Sequence, residues 1–437
     1  MRDEKLIFFL RLIEKKYILF FLYLFGLFIS IYVWSYFISA EHNHITDDLG
    51  NLEIYNLNNM NGVYIKSILE EGIPKINFLG MDFYYSMRPI LPYFLIFVFE
   101  NISNNFFLIL LIKNILMAVF IFFVIKNYKK NYNNLFLLIC LILIFYNPHN
   151  VHTMYDIGSE EGFLNYLVII LFFSILGDYK YKSLLVGTTL SLIFFTKESM
   201  FILTFVVPLI YLFLEKKNNK YLPLIMVVIS NLAWGSYHYK TQNYFPIGPT
   251  GSAKNAVNLA AVYHKDFNLT YPRVSPDIYH YKTANLIKKK KITNEKQLMD
   301  ILIDQSLTYL KENPYDVVKG VFKKLYVVTL SPFKDTRQRI EDINSIRYSN
   351  FPNKIIFNLS LILMLINIIN KNRIYSEKKI DFYYLIILMT YFIPYMIGFV
   401  YPRHCTAMYT LAHLYLFLNI TEINKFNINE LLKKKYK

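Results

Sequence analysis

Apolar runs bounded by polar clusters recur along the whole chain, and the longest match the roughly 20 residues that a helix needs to cross a bilayer. They fall near residues 17–40, 106–125, 135–146, 163–177, 183–195, 200–214, 221–236, 351–370, 380–400 and 406–420. Several are shorter than a full span, so their polar ends must reach the headgroup layer or be buried against neighbouring helices. The expected fold is therefore an all-α polytopic membrane protein of about ten transmembrane helices. Composition agrees: 55% of residues are hydrophobic and 18% charged, against roughly 25% charged in soluble domains. A water-soluble globule and a disordered chain are both excluded on these grounds. Cys140 and Cys405 are too few for a disulfide framework or a cysteine-built metal site.

The net charge of +16 would suggest nucleic acid in a soluble protein. Here the basic residues cluster beside the apolar runs, as they do at an anionic cytoplasmic leaflet, so no nucleic-acid partner is expected. Arg2, Lys5, Arg11, Lys15 and Lys16 precede the first run and set the N-terminus in the cytoplasm. That run has no small-residue cleavage site and is read as an anchor rather than a signal peptide. Counting crossings then puts Lys126 with Lys129 and Lys130, Lys180 with Lys182, Lys216 with Lys217, Lys371 with Arg373, and the Lys433 to Lys437 tail on the same inner face. Both termini are cytoplasmic in this reading. It requires 183–214 to be a hairpin bent at Thr196, Lys197, Glu198 and Ser199, with that tetrad at the outer surface.

Three longer segments then face outward: 41–105, 147–162 and 237–350, with short outer turns at 196–199 and 401–405. Residues 1–236 form an N-terminal transmembrane module with its outer loops, 237–350 an extracytoplasmic insertion, and 351–437 the C-terminal helices and basic tail. The insertion is expected to be mostly helical, with Leu298, Ile301, Leu302, Tyr309 and Leu310 along one apolar face of a helix over 297–310. Segment 89–99, opened by Pro89 and Pro92, is too short to span and reads as a helix lying in the outer interface.

The outer face divides its charges. Asp47 and Asp48 follow the first run, with His42 and His44 close by, and Glu160 and Glu161 precede the run at 163–177. A carboxylate fixed at the membrane surface can serve as general base toward a hydroxyl or hold a divalent cation. Zinc fits less well, because the histidines lack a helical i, i+4 spacing. Cations lie nearer the lipid: Arg88, Lys197 and Arg403. A guanidinium there suits a lipid phosphate through a two-pronged contact, and a lysine between two apolar helices is costly unless it pairs or meets a polar cavity. Ordinary roles compete: the carboxylates can favour a helix dipole and Arg403 can reach headgroups as an anchor. Together the groups suit transfer from a lipid phosphate to a hydroxyl. No nucleotide-binding phosphate loop occurs.

The order of these features resembles the GT-C glycosyltransferases, which include protein O-mannosyltransferases, aminoarabinose transferase and oligosaccharyltransferases. The resemblance rests on the acidic pair Asp47 and Asp48 after the first helix, Tyr64 through Gly72, "RPILPYFL" from Arg88, Glu160 and Glu161 before a helix, "FFTKES" around Lys197, "KENPYDVVKGVFKKL" from Lys311, and "YPRHCTAMY" from Tyr401. It implies that Asp47 or Asp48 is the base or metal ligand, that Glu160 or Glu161 supports it, and that Arg403 binds the donor phosphate. The implied donor is a sugar on a polyprenyl-phosphate carrier, and the acceptor a glycan, lipid or protein of the cell envelope. With the Lys-, Asn- and Ile-rich composition, the expected location is a bacterial inner membrane. A flippase for lipid-linked oligosaccharides and an O-antigen polymerase or ligase are the rival readings. The flippase predicts charges within the helices and a repeated half.

Overall fold

A computed structural model describes residues 75–78, 81–84, 90–92, 94, 98, 106–128, 134–145, 160–246 apart from 179, 217 and 218, 248, 256–263 apart from 258 and 261, 283, 285–330, 344–370, 375–398 and 405–424. The first apolar run and both terminal basic segments lie outside these residues. What is described is overwhelmingly helical. The exception is a small antiparallel hairpin, β1 (Lys75–Phe78) and β2 (Met81–Tyr84), paired Lys75 to Tyr84 through Phe78 to Met81. The sequence reading placed no strand in 41–105; a two-residue link between two four-residue strands is too brief to stand out in a long loop.

The helices are α1 (Phe106–Tyr128), α2 (Asn134–Phe145), α3 (Glu160–Leu176), α4 (Lys182–Phe194), α5 (Phe201–Leu214), α6 (Leu222–Gln242), α7 (Glu295–Glu312), α8 (Pro314–Thr329), α9 (Asn344–Ile369), α10 (Tyr375–Ile397) and α11 (Thr406–Asn424). Nine of the ten apolar runs thus carry a helix, and the tenth is not among the described residues. Two helical stretches, Phe351–Ile369 and Lys378–Ile397, are long and apolar enough to cross a membrane, and shorter apolar stretches include Gly162–Leu176 and Lys182–Phe194.

Helix α3 is the axis of the bundle. Its positions from Gly162 to Ile175 are all buried, as expected of a helix that is apolar on every side, and α1, α4 and α11 pack around it. It is joined to α1 by a hydrogen bond from the Tyr166 hydroxyl to Asn114 at 2.6 Å. Helices α4 and α5 form the expected hairpin. Their far ends meet, with Ser183 and Tyr211 hydroxyls 3.1 Å apart and Lys182 paired with Glu215 at 3.0 Å. Helix α6 then runs parallel to α4 in close contact, where a Cβ on Gly187 would stand 2.6 Å from Met226 Sδ and 3.1 Å from Pro223 Cα. That approach is the reason position 187 carries no side chain.

The bundle therefore has two ends. At one, Glu215 accepts from both Lys182 and Lys379, tying α4, α5 and α10. At the other lies the bend at residues 195–200. Between them the interior is mainly apolar but also holds polar side chains, and further apolar side chains line the outside. Asn367 donates to Asp381, Tyr415 and Asn419 at 3.0–3.1 Å inside the packing of α9, α10 and α11. Ile225, Val228, Ile229 and Leu232 on α6, and Ile355, Leu359, Ile362 and Ile366 on α9, are exposed in helical stripes.

Among the described residues of 237–350, helix extends beyond 297–310. Helix α7 starts two residues before 297, because Asn294 caps it by accepting from the Gln297 backbone N–H at 3.0 Å, while the Gln297 side chain accepts from Thr293. Helix α8 was not anticipated as a helix, although Pro314 in its first turn and Asp316 behind it are ordinary start signals. Helix α6 runs on to Gln242 and α9 begins at Asn344, so both reach into the stretch assigned to the insertion.

Candidate functional site

The bend between α4 and α5 is built by backbone and hydroxyl groups acting together. Thr196 Oγ1 donates to Leu192 O at 2.6 Å, and the Thr196 N–H to Ile193 O at 3.0 Å, which closes α4 tightly. Lys197 then adopts extended geometry at φ −154°, ψ 129° and reverses the chain before a single 3₁₀ turn, Glu198–Met200, leads into α5. Thr196, Lys197 and Glu198 are all buried, Lys197 at 5% and Glu198 at 6% exposure. The tetrad is at the bend, as expected, with Ser199 only partly buried. A buried charge left without compensation costs roughly several kcal/mol, so a lysine and a glutamate side by side at such depth mark a polar interior.

Three distant segments close on this bend. The Leu91 N–H donates to Phe195 O at 3.0 Å, bringing the chain three residues after Arg88 against it. Ser199 Oγ donates to the Tyr395 hydroxyl at 3.1 Å, fixing the last turn of α10, eight residues before Arg403. Phe195 meets Trp234 edge to face at 6.2 Å, which brings in the end of α6. There Trp234 lies 4.7 Å from His238, and His238 5.8 Å from Tyr244, ring to ring. His238 is fully buried, and neither its two ring nitrogens nor Trp234 Nε1 has a hydrogen-bond partner. Buried polar atoms with unmet capacity are rare, and three of them stand together beside the bend.

Helix α3 forms a hairpin with α4 through residues 177–181, so its first turn, Glu160 and Glu161, stands at the same end as the bend. Carboxylates there are favoured by the helix dipole. Lys197 is thus placed, and Glu160 and Glu161 are located by their helix. Asp47, Asp48, Arg88 and Arg403 lie outside the described residues. Among the described residues no group of three or more His, Cys, Asp or Glu is gathered as a metal would need; the candidate metal ligands Asp47 and Asp48 are not among them.

Sequence reasoning missed Tyr395, His238 and Lys324. The Ser199–Tyr395 contact spans 196 residues and has no local signature. Lys324, fully buried on α8, donates to Met396 O at 2.7 Å, Ile397 O at 3.2 Å and the Tyr263 hydroxyl at 3.2 Å. It thereby satisfies the orphan carbonyls at the end of α10, where a cation also suits the dipole. Comparison with family models, with curated proteins and with solved structures returns no match.

Burial pushes the Lys324 amine down to about 8, with the Tyr263 hydroxyl the titratable group facing it. Above about pH 8 the folded protein sheds a proton that the unfolded chain keeps until about 10.5, so this residue makes stability rise with pH across that window. Below it, the full burial penalty applies. Thermal unfolding at pH 7.5 and 9.5 should show a larger upward shift for wild type than for Lys324→Met; equal shifts would mean that the amine is not depressed.

Proposed function

We propose that this chain is an integral membrane glycosyltransferase that moves a sugar, hexose or pentose, from a polyprenyl-phosphate carrier to a cell-envelope acceptor on the extracytoplasmic face. The observation that carries the proposal is the buried Lys197–Glu198 bend, onto which the segments following Arg88 and preceding Arg403 both converge. A buried lysine at one end of a helical bundle suits a lipid-borne phosphate, and the first turn of α3 begins at that same end. The membrane setting is supported by the stripes of isoleucine and leucine exposed on α6 and α9. The basic Lys182, Glu215, Lys379 end is then cytoplasmic and the bend end outer.

In this reading the acceptor oxygen attacks the anomeric carbon of the donor sugar, the bond from that carbon to the phosphate oxygen breaks, and the acceptor proton passes to Asp47 or Asp48. Glu160 or Glu161 supports that base. The departing polyprenyl phosphate keeps the bonding electrons, and its charge is met by Lys197, Arg88 and Arg403. Where a divalent cation takes part, Asp47 and Asp48 are its ligands.

Arg403 tests the phosphate assignment. A guanidinium holding phosphate by two parallel bonds cannot be replaced by an ammonium, so Arg403→Lys should impair use of a synthetic polyprenyl-phosphate donor nearly as much as Arg403→Ala. An anchoring arginine would tolerate lysine, and unchanged donor affinity in Arg403→Ala would remove it from the site.

Topology is tested separately. Lys289 and Lys216 are exposed, whereas Cys140 and Cys405 are fully buried. An impermeant thiol reagent should label Lys289→Cys on intact cells and Lys216→Cys only after the cells are opened. The reverse pattern would invert the protein and take the outer site with it.

A further inference from the structure

Helix α8 turns an apolar arc away from the protein. Tyr315 is 78% exposed and Phe322 68%, and Val318, Leu325 and Tyr326 are exposed beside them. At 100° per residue these five positions span an arc of roughly 100°. Lys319 and Lys323, both exposed, follow along one border of that arc. The opposite side holds Lys324, Val327 and Val328, all buried.

That opposite side is fastened, so the arc cannot roll inward. Lys324 is bonded to the end of α10. Val327 O accepts from Lys354 at 2.9 Å, Val328 O from the Tyr409 hydroxyl at 2.8 Å, and Thr329 O from Asn358 at 3.0 Å. Its last turn therefore lies beside residues 354–358 of α9, where Ile355 and Leu359 begin that helix's own exposed apolar stripe. Two outward apolar faces meet at the end of the bundle where α10 terminates. A water-covered lid would leave both facing solvent.

We infer that α8 lies in the headgroup layer of the outer leaflet, with Tyr315, Val318, Phe322, Leu325 and Tyr326 toward the acyl chains and Lys319 and Lys323 among anionic lipid phosphates. An apolar arc bordered by lysines, with tyrosines at its rim, is the pattern of a helix lying in an interface. The inference rests on the membrane reading of the bundle and not on its transfer chemistry.

The test uses the full chain in vesicles of phosphatidylethanolamine and phosphatidylglycerol, with an environment-sensitive fluorophore on Phe322→Cys. Ile362→Cys on α9, a position 55% exposed, is the control for the bundle wall. The inference predicts that the probe at 322 is quenched several-fold more by a nitroxide near the headgroups than by aqueous iodide, and that the probe at 362 is quenched by a nitroxide deep in the chains. Iodide quenching at 322 with deep nitroxide quenching at 362 overturns the interfacial helix and leaves the spanning bundle intact. Shielding of 322 from both quenchers also overturns it, since protein would then cover the arc. Iodide quenching at both positions overturns the membrane reading itself.

Discussion

Asp47→Asn and Asp48→Asn are expected to separate, one of them lowering sugar transfer roughly 10²- to 10⁴-fold and the other much less. The reason is chemical rather than electrostatic. An amide keeps the shape and hydrogen-bonding reach of the carboxylate but cannot accept the proton that the acceptor hydroxyl must lose as it attacks. Membrane expression should be unchanged, because asparagine replaces aspartate without a change of size. The measurement is initial transfer rate under saturating donor, compared across the two single variants and the double variant. Full activity in the double variant would take this loop out of the reaction.

Lys197→Met should have the next largest effect, a loss of roughly 10²- to 10³-fold in transfer, the scale seen when one preorganised donor is withdrawn from a developing negative charge. Methionine matches the lysine stem as far as Cε and is as flexible, so the bend, which is closed by Thr196 and tethered through Ser199 to Tyr395, should survive. Two readouts keep a structural effect apart from a chemical one. Binding of polyprenyl phosphate, the common product of every such donor, should weaken in parallel with transfer, while the apparent unfolding temperature reports separately what the bend loses when the buried Glu198 carboxylate no longer has the amine beside it. A folded Lys197→Met protein with wild-type transfer would show that the buried lysine serves the bend alone.

How far the sequence spoke depended on the range of the interaction. Apolar runs and basic flanks are local, and the helices α1 to α6 and α9 to α11 lie where they indicated. The hairpin bent at Thr196–Ser199 was also legible, because only a reversal keeps both basic flanks on one face. Its burial was not: nothing near residue 197 tells that Leu91, Trp234 and Tyr395 pack over it, since each comes from a different part of the chain. Lys324 illustrates the same limit. Five residues from the lysine at 319 and adjacent to another at 323, it looks like part of a solvated charge run, yet its position opposite the apolar arc buries it against the carbonyls of α10. Helix α8 itself was signalled by Pro314 and Asp316, but which of its sides packs and which stays bare is set by α9, α10 and α11, which follow it in the chain.

The fate of the carrier tests the central claim most directly. Purified protein in vesicles is supplied with a polyprenyl-phosphate donor labelled in both sugar and lipid, together with an envelope extract as acceptor. The account predicts cleavage of the bond between sugar and phosphate, with the sugar label appearing in the acceptor fraction in step with release of unglycosylated polyprenyl phosphate, and loss of both in the Lys197→Met protein. Movement of the intact, doubly labelled carrier from one leaflet to the other, with no cleavage, would contradict it and identify the chain as a lipid-linked sugar transporter.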